Sequence, residues 1–110
     1  MSIVNCTPHA IVLFHGEEIV NTFEPSGVSV RLLESDKQCD DVYGVPCVER
    51  TYCALAGLPD PVEGTYYIVS IVVLGAAKAL GREDCVSPDT GAGCVRSADG
   101  KILGTRGFVR

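Results

Sequence analysis

The chain has 110 residues, of which 46% are hydrophobic and 21% charged, and its net charge is −5. This length fits one domain, and the composition is typical of a folded globular protein rather than a disordered chain. The acidic balance argues against a general nucleic-acid-binding protein, because such proteins usually present a basic surface. We therefore predict a single domain over residues 1–110 without broad affinity for nucleic acid.

The first third of the chain predicts an antiparallel β-meander over residues 3–33. Four segments carry the β-branched or alternating pattern of strands, namely residues 3–6, 10–14, 18–23 and 28–32. Residues 34–48 change character, because they are polar and acidic and then contain Gly44 and Pro46. We predict an exposed acidic loop over this stretch.

The second half predicts one strand-helix-strand unit over residues 65–87. Its middle is rich in Ala and Leu, with Ser70 as the expected N-cap and Gly81 just past the helix end. This helix is apolar on nearly every face, so we expect it to be buried on more than one side. Asp99-Gly100 then predicts a C-terminal hairpin within residues 94–109. The predicted fold is α+β, a mostly antiparallel curled sheet or partial barrel packed around one apolar helix.

The ends of the two strands in the strand-helix-strand unit indicate a candidate binding site. Ligands of α/β units bind beyond the carboxyl ends of parallel strands, which here are predicted at Ser70 and Ser87, and Ser87 leads into the loop of residues 88–93. The first amides of the helix favour an anion, and the loop glycines allow its backbone to approach a ligand. The loop lacks the lysine of a P-loop. The simpler alternative is that Ser70 only caps the helix and residues 88–93 only connect two strands.

Charge is divided unevenly along the chain. Residues 1–63 hold ten acidic and three basic residues, a net charge of −7, whereas residues 64–110 hold four acidic and six basic residues, a net charge of +2. Arg96 and Arg106 flank the Asp99-Gly100 turn and could converge on one face, where paired guanidinium donors would suit a phosphate or carboxylate. The overall sign therefore does not argue against a small anion bound by the second half.

These observations predict a non-catalytic binding module for a small anion such as a nucleotide. Its expected ligand-binding residues are Thr7, His9, Ser70, Asp89, Thr90, Gly91, Arg96 and Arg106. One alternative is a small hydrolase or isomerase that uses His9 with Asp84 or Asp89 as acid and base. A pocket in so short an enzyme would usually lie between subunits, so this alternative implies a homo-oligomer. A second alternative is a structural or protein-interaction role based on the acidic loop and spare strand edges.

The six cysteines do not follow the spacing of a metal site. No Cys-x-x-Cys pair occurs, and structural zinc sites usually need one, so we predict neither metal nor cofactor. The N-terminus has no secretory pattern, which predicts a cytoplasmic protein with reduced thiols. The longest apolar stretch, residues 66–80, is shorter than a membrane span requires.

Short motifs over most of the chain resemble a family of small uncharacterised proteins of bacteriophages and bacteria. The segments that carry the resemblance are Asn5-Cys6-Thr7-Pro8-His9-Ala10-Ile11, Pro25-Ser26-Gly27, Gly57-Leu58-Pro59, Gly64-Thr65-Tyr66-Tyr67-Ile68-Val69-Ser70, Arg82-Glu83-Asp84 and Ser87-Pro88-Asp89-Thr90-Gly91. The acidic stretch around residues 36–48 and the several cysteines depart from the usual form. The resemblance implies an intracellular, phage-like protein and brings no catalytic residue with it.

Overall fold

The computed structural model describes residues 2–110, without the side chains of Tyr52 and Cys53. Strands dominate this part of the chain, which contains one helix. The strands are β1 (Ser2–Asn5), β2 (Ile11–His15), β3 (Glu18–Phe23), β4 (Arg31–Val42), β5 (Val45–Ala56), β6 (Thr65–Ile68), β7 (Cys85–Pro88), β8 (Cys94–Arg96), β9 (Ile102–Thr105) and β10 (Phe108–Val109), and the helix is α1 (Ile71–Ala79).

These strands form three sheets. The first has the order β1-β6-β7-β10, the second β3-β2-β9-β8, and the third is the two-stranded pair β4-β5. In the first sheet β1, β6 and β7 are mutually parallel, and in the second β2 and β9 are parallel. The fold is therefore α+β, as predicted, but parallel pairing has a larger share than we expected, and within residues 2–110 no sheet closes into a barrel.

The core lies between the parallel strands and one side of α1. Its most buried side chains include Ile68, Val69 and Ala77, which have no exposed surface, together with Cys6 and Val73. The helix begins and ends where the sequence predicted, with Ser70 as the N-cap and Gly81 just past the last turn. The Ser70 hydroxyl accepts a hydrogen bond from the Val73 amide at 3.3 Å, and the amide of Arg82 donates to the Ala77 carbonyl at 2.9 Å past a left-handed Gly81.

The predicted burial of the helix is wrong for its outer face. Ile71, Val72 and Leu80 are each more than half exposed, although all three are large and apolar. The helix packs against β7 on one side and reaches only the base of β4 and β5 on the other. One side of the helix thus remains open where a curled sheet was expected to cover it.

The predicted meander over residues 3–33 is also wrong. β1 leaves the hairpin of β2 and β3 and pairs in parallel with β6, from Ser2 opposite Thr65 to Asn5 opposite Ile68. Residues 28–30 are irregular, and the next strand begins at Arg31. Local alternation does not reveal a partner strand that lies about 60 residues away, because parallel partners require a long crossover.

The acidic stretch of residues 34–48 is a strand pair, not a loop. Cross-strand charge pairs compensate for the low strand propensity of these residues, since Asp36 lies opposite Arg50 and Lys37 opposite Glu49. The strands join at Tyr43-Gly44, where both residues have positive φ, as a tight two-residue hairpin turn requires. We call β4 and β5 together the ribbon.

The strand-helix-strand unit and the C-terminal hairpin agree with the predictions. β6, α1 and β7 occupy most of residues 65–88, and β6 and β7 are parallel neighbours. β8 and β9 pair antiparallel around the turn at Asp99-Gly100. The last strand, β10, leaves this hairpin and completes the first sheet beside β7.

Candidate functional site

The carboxyl ends of three parallel strands meet at one edge of the first sheet. The ladder continues past the strands, because the Cys6 amide donates to the Ile68 carbonyl at 2.9 Å and the Val69 amide to the Val86 carbonyl at 2.8 Å. Thr7 follows β1, Ser70 follows β6 and Pro88 ends β7, so all three lie at the carboxyl ends of neighbouring parallel strands. Three of the predicted segments therefore share one edge, which we call the carboxyl edge.

Asn5 organises the first of these segments. Its side-chain amide donates to the carbonyls of His9 at 2.7 Å and Phe23 at 2.9 Å, while its Oδ1 accepts from the amide and hydroxyl of Thr7. Asn5 is only 2% exposed and all of its polar atoms are partnered. The Thr7 hydroxyl is therefore committed to the turn, and His9 is held at the surface by its backbone.

Ser70 lies at the same edge and begins the helix. It is exposed, its hydroxyl caps the amide of Val73, and the first turn of α1 contains no acidic residue. The positive end of the helix dipole and the amides of Ile71 and Val72 therefore face the carboxyl edge.

Asp89 folds the loop that forms the third segment. Its Oδ1 accepts from the Gly91 amide at 2.8 Å and its Oδ2 from the Gly93 amide at 3.1 Å. A Cβ atom on Gly93 would lie 2.6 Å from Asp89 Oδ2, so any other residue there would displace the Asp89 carboxylate from its present position. Gly91 was predicted to bind the ligand, but its amide donates to Asp89 instead. The Thr90 side chain of this loop remains exposed.

A cleft of about 410 Å³ lies between the first two sheets beside the carboxyl edge. His9 and Thr90 are among its lining residues, and Pro88, Thr105 and the apolar side chains of β2 and β9 line the rest. The structure thus brings two predicted ligand-binding residues to one cavity. The cleft has the volume of a small-molecule site, and most of its wall is carbon.

Arg96 and Arg106 do not converge. The Arg96 guanidinium donates to the Gly100 carbonyl at 3.0 Å at the tip of the hairpin, whereas that of Arg106 donates to the Gly16 carbonyl at 3.0 Å. Arg96 lies opposite Ile102, four residues before Arg106, which corresponds to about 13 Å along the strand. Arg106 is nearer the loop of residues 88–93, because its amide donates to the Gly93 carbonyl at 2.8 Å.

Asp84 does not join His9. It precedes β7 at the opposite end from Pro88, about 13 Å along the strand, and its carboxylate accepts two hydrogen bonds from Arg82, at 2.9 and 2.8 Å. These bonds hold the pKa of the Asp84 carboxyl below its ordinary value. Arg82 also donates to the Pro59 carbonyl at 2.8 Å, so the pair ties the residue 57–61 loop to the sheet.

The buried cysteines are poorly suited to nucleophilic chemistry. Cys6 and Cys85 are almost fully buried, and burial raises the pKa of both thiols. Such thiols stay protonated at neutral pH, and the thiolate is the reactive form. Cys6 beside His9 in sequence therefore does not form an activated pair.

Sequence reasoning missed two buried polar residues that shape the site. Asn5 appeared only within the motif of the resemblance, and Thr105 was not singled out. The Thr105 hydroxyl lies 2.8 Å from the Asp89 carbonyl and 2.7 Å from the Gly107 carbonyl, and it accepts from the Gly107 amide at 3.2 Å. A polar residue at the end of an apolar strand was the available signal for both.

No family model, curated protein or solved structure matches the chain significantly.

In the described part of the chain, no group of three or more His, Cys, Asp or Glu side chains could hold a metal ion. Within residues 2–110 no helix has the length and apolar character needed to cross a membrane.

Proposed function

We propose that this protein is a non-catalytic binding module for a small molecule that has an apolar ring and an anionic group, as a nucleotide does. The ring occupies the cleft between His9 and Thr90, and the anionic group lies at the carboxyl edge beside Ser70. The observation that carries the proposal is the position of Pro88, which lines the cleft and ends β7 at the same edge at which Ser70 follows the parallel strand β6.

The chemistry of the two parts supports this class of ligand. The cleft is mainly apolar and large enough for a nucleobase, with His9 and Thr90 available as polar contacts. The adjoining helix N-terminus favours negative charge, and no acidic side chain of its first turn opposes it. Neither candidate arginine supports this proposal, because the Arg96 guanidinium donates to the Gly100 carbonyl and that of Arg106 to the Gly16 carbonyl, at the other end of β2 from His9.

The alternative of an acid–base enzyme receives less support. Asp84 is bound to Arg82 at the far end of β7, and both carboxylate oxygens of Asp89 accept hydrogen bonds from its own loop. His9 therefore has no carboxylate partner of the kind that the enzyme hypothesis required. We propose no catalytic step.

The test is a binding titration of the full chain with a nucleoside monophosphate panel, the matching nucleosides and inorganic phosphate. At least one monophosphate should bind more tightly than its nucleoside and than phosphate, because it fills both parts of the site. His9→Ala should weaken that binding about tenfold, the effect of losing one hydrogen bond to a charged or polar ligand group.

His15→Ala is the matched control, since His15 lies at the end of β2 and does not line the cleft. Arg96→Ala and Arg106→Ala are further controls, because both guanidiniums donate to carbonyls outside the cleft and neither substitution should change binding of the monophosphate. Failure of every monophosphate to bind, or equal effects of the His9 and His15 variants, would refute the proposal.

A further inference from the structure

The molecule exposes more surface than a monomer of its mass normally does. Its accessible area is 7487 Å², whereas about 5,800 Å² is typical of a folded monomer of 11.6 kDa. Its radius of gyration is 16.7 Å, compared with about 13 Å for a compact domain of this length. The excess of roughly 1,600 Å² is about twice what a standard protein interface takes from each partner.

The protruding ribbon accounts for one part of this surface. Its tip is formed by Val42, Tyr43, Val45 and Val48, which are all more than half exposed. Tyr43 is fully exposed and adopts a positive φ of 48°, a backbone conformation that is costly for a bulky residue. The hairpin turn accounts for this backbone conformation but not for a fully exposed aromatic side chain at the tip, and tyrosine is a residue that interfaces favour.

An apolar groove at the base of the ribbon accounts for another part. It has a volume of about 440 Å³ and runs between α1 and the ribbon. Its lining includes Leu32, Leu55, Val72, Ala76, Ala79 and Leu80. Val72 and Leu80 are more than half exposed, so the groove is open to solvent. We call it the helix groove.

The ribbon tip cannot cover the helix groove of its own chain. Ten residues of extended strand separate Leu32 in the groove from Val42 at the tip, a distance of about 30 Å. A second copy carries both surfaces and can satisfy both at once through two equivalent contacts. We propose that the protein forms a two-fold dimer in which the ribbon tip of each copy occupies the helix groove of the other.

The dimer is tested by sedimentation equilibrium of the full chain between 1 and roughly 100 µM, a range that covers ordinary specific interfaces. The unmodified protein should sediment as a dimer. Tyr43→Asp and Val72→Asp, one at each surface, should each weaken association about 30-fold or more, as the loss of a central interface contact does. Ile19→Asp is the matched control, because Ile19 is also an apolar residue more than half exposed, on β3, and belongs to neither surface.

A mixing experiment distinguishes this arrangement from any other association. The Tyr43→Asp copy retains an intact groove and the Val72→Asp copy an intact tip, so an equimolar mixture restores one of the two contacts. The mixture should associate more tightly than either variant alone. A monomer throughout the concentration range, an unaffected dimer in both variants, or no gain on mixing would overturn the proposal. Circular dichroism of each variant identifies any loss of folding.

A separate observation in the ribbon concerns two free thiols. Cys39 and Cys47 are direct cross-strand partners, and neither is fully buried. Opposed residues of an antiparallel pair have Cα atoms about 4.5–5.5 Å apart, which is within the range that a disulfide spans. The Cys47 side chain is the main cause that raises the pKa of Cys39, in keeping with their direct pairing across the two strands.

We propose that Cys39 and Cys47 are a site of reversible disulfide formation with a low-molecular-weight disulfide such as glutathione disulfide. The Cys47 thiolate attacks one sulfur of the glutathione disulfide and forms a mixed disulfide with that half, while the other half leaves as glutathione thiolate. The second thiolate attacks the protein sulfur of this mixed disulfide and releases the other glutathione. The protein thus loses two hydrogen atoms, and the disulfide is reduced to two thiols.

Intact mass spectrometry after exposure to glutathione disulfide tests this site. The protein should lose about 2 Da, and peptide mapping should join Cys39 to Cys47. Cys39→Ser should instead retain one glutathione on Cys47, because the second step then has no thiol. A different cysteine pair in the map, or no mass loss under conditions that oxidise a control dithiol peptide, would overturn the assignment.

Discussion

The first sheet and the ribbon are two regions with opposite relations to solvent. β6 and β7 consist largely of buried residues, and α1 packs three side chains against them. No residue of β4 is buried, although at twelve residues it is three times as long as β6. Stability therefore depends on the short parallel strands, while the long ribbon contributes mainly surface. Substitutions in the two regions should separate these roles.

The largest difference should appear between two apolar truncations. Ile68→Ala removes a side chain with no exposed surface and should lower the free energy of unfolding by about 2–5 kcal/mol. Val48→Ala, in the half-exposed part of the ribbon, should change it by less than about 0.5 kcal/mol. Urea unfolding at a concentration where the protein is monomeric measures both. Equal effects would contradict the division between the two regions.

A smaller effect is expected where the second sheet depends on a close backbone approach. A Cβ atom on Gly104 would lie 2.4 Å from the Val12 carbonyl oxygen and 2.6 Å from a ring carbon of Phe14. Gly104→Ala should therefore force β9 away from β2 and cost about 1–3 kcal/mol, the usual effect of overpacking. Gly107→Ala is the control, because a Cβ atom there meets nothing within 4 Å. A variant as stable as that control would show that β9 shifts freely.

The Arg82–Asp84 pair should contribute less, and its effect should depend on pH. Asp84 has a lowered pKa in the folded state, so its contribution is present above the unfolded pKa of about 3.9 and is lost as the pH falls through the folded value. Asp84→Asn should destabilise the protein by about 1–2 kcal/mol at pH 7. The difference from the unmodified protein should shrink as the pH falls below 4. A difference that is constant with pH would exclude this origin.

The smallest effect should come from the ion pairs of Arg50 in the ribbon, which are the exposed counterpart of the Arg82–Asp84 pair. Arg50 approaches Asp36 at 2.9 Å and Glu34 at 3.5 Å, but all three side chains are 41–49% exposed. Exposed ion pairs contribute little because solvent screens them. Asp36→Asn should leave the thermal midpoint unchanged within error at 0.5 M salt. A clear fall would mean that the ribbon stabilises the monomer more than its exposure indicates.

The sequence was most informative where a feature depends on neighbouring residues. Ser70 and Gly81 identified both ends of the helix, and Asp99-Gly100 identified the C-terminal turn. The strand-helix-strand pattern also brought Ser70 and Pro88 correctly to one edge. Each of these features follows from caps, turns or a short crossover, which a local pattern encodes.

The remaining features depend on partners that no local pattern contains. β1 pairs with a strand some 60 residues away, so Thr7 joined the carboxyl edge for a reason that its own segment does not show. The acidic ribbon forms because charges on β4 meet opposite charges on β5, whereas composition alone favoured a loop. Arg96 and Arg106 separate because each guanidinium finds a nearby carbonyl, which their sequence spacing does not indicate.

The parallel pairing of β1 with β6 has a consequence during synthesis. Ser2 and Thr65, whose hydroxyls are 3.0 Å apart, are separated by 63 positions in the chain. At a translation rate of about 5–20 residues per second, β1 leaves the ribosome several seconds before its partner exists. The ribbon, by contrast, closes a two-residue turn within microseconds of emerging. The longest exposed feature of the molecule therefore forms early, and the sheet that stabilises the protein assembles late.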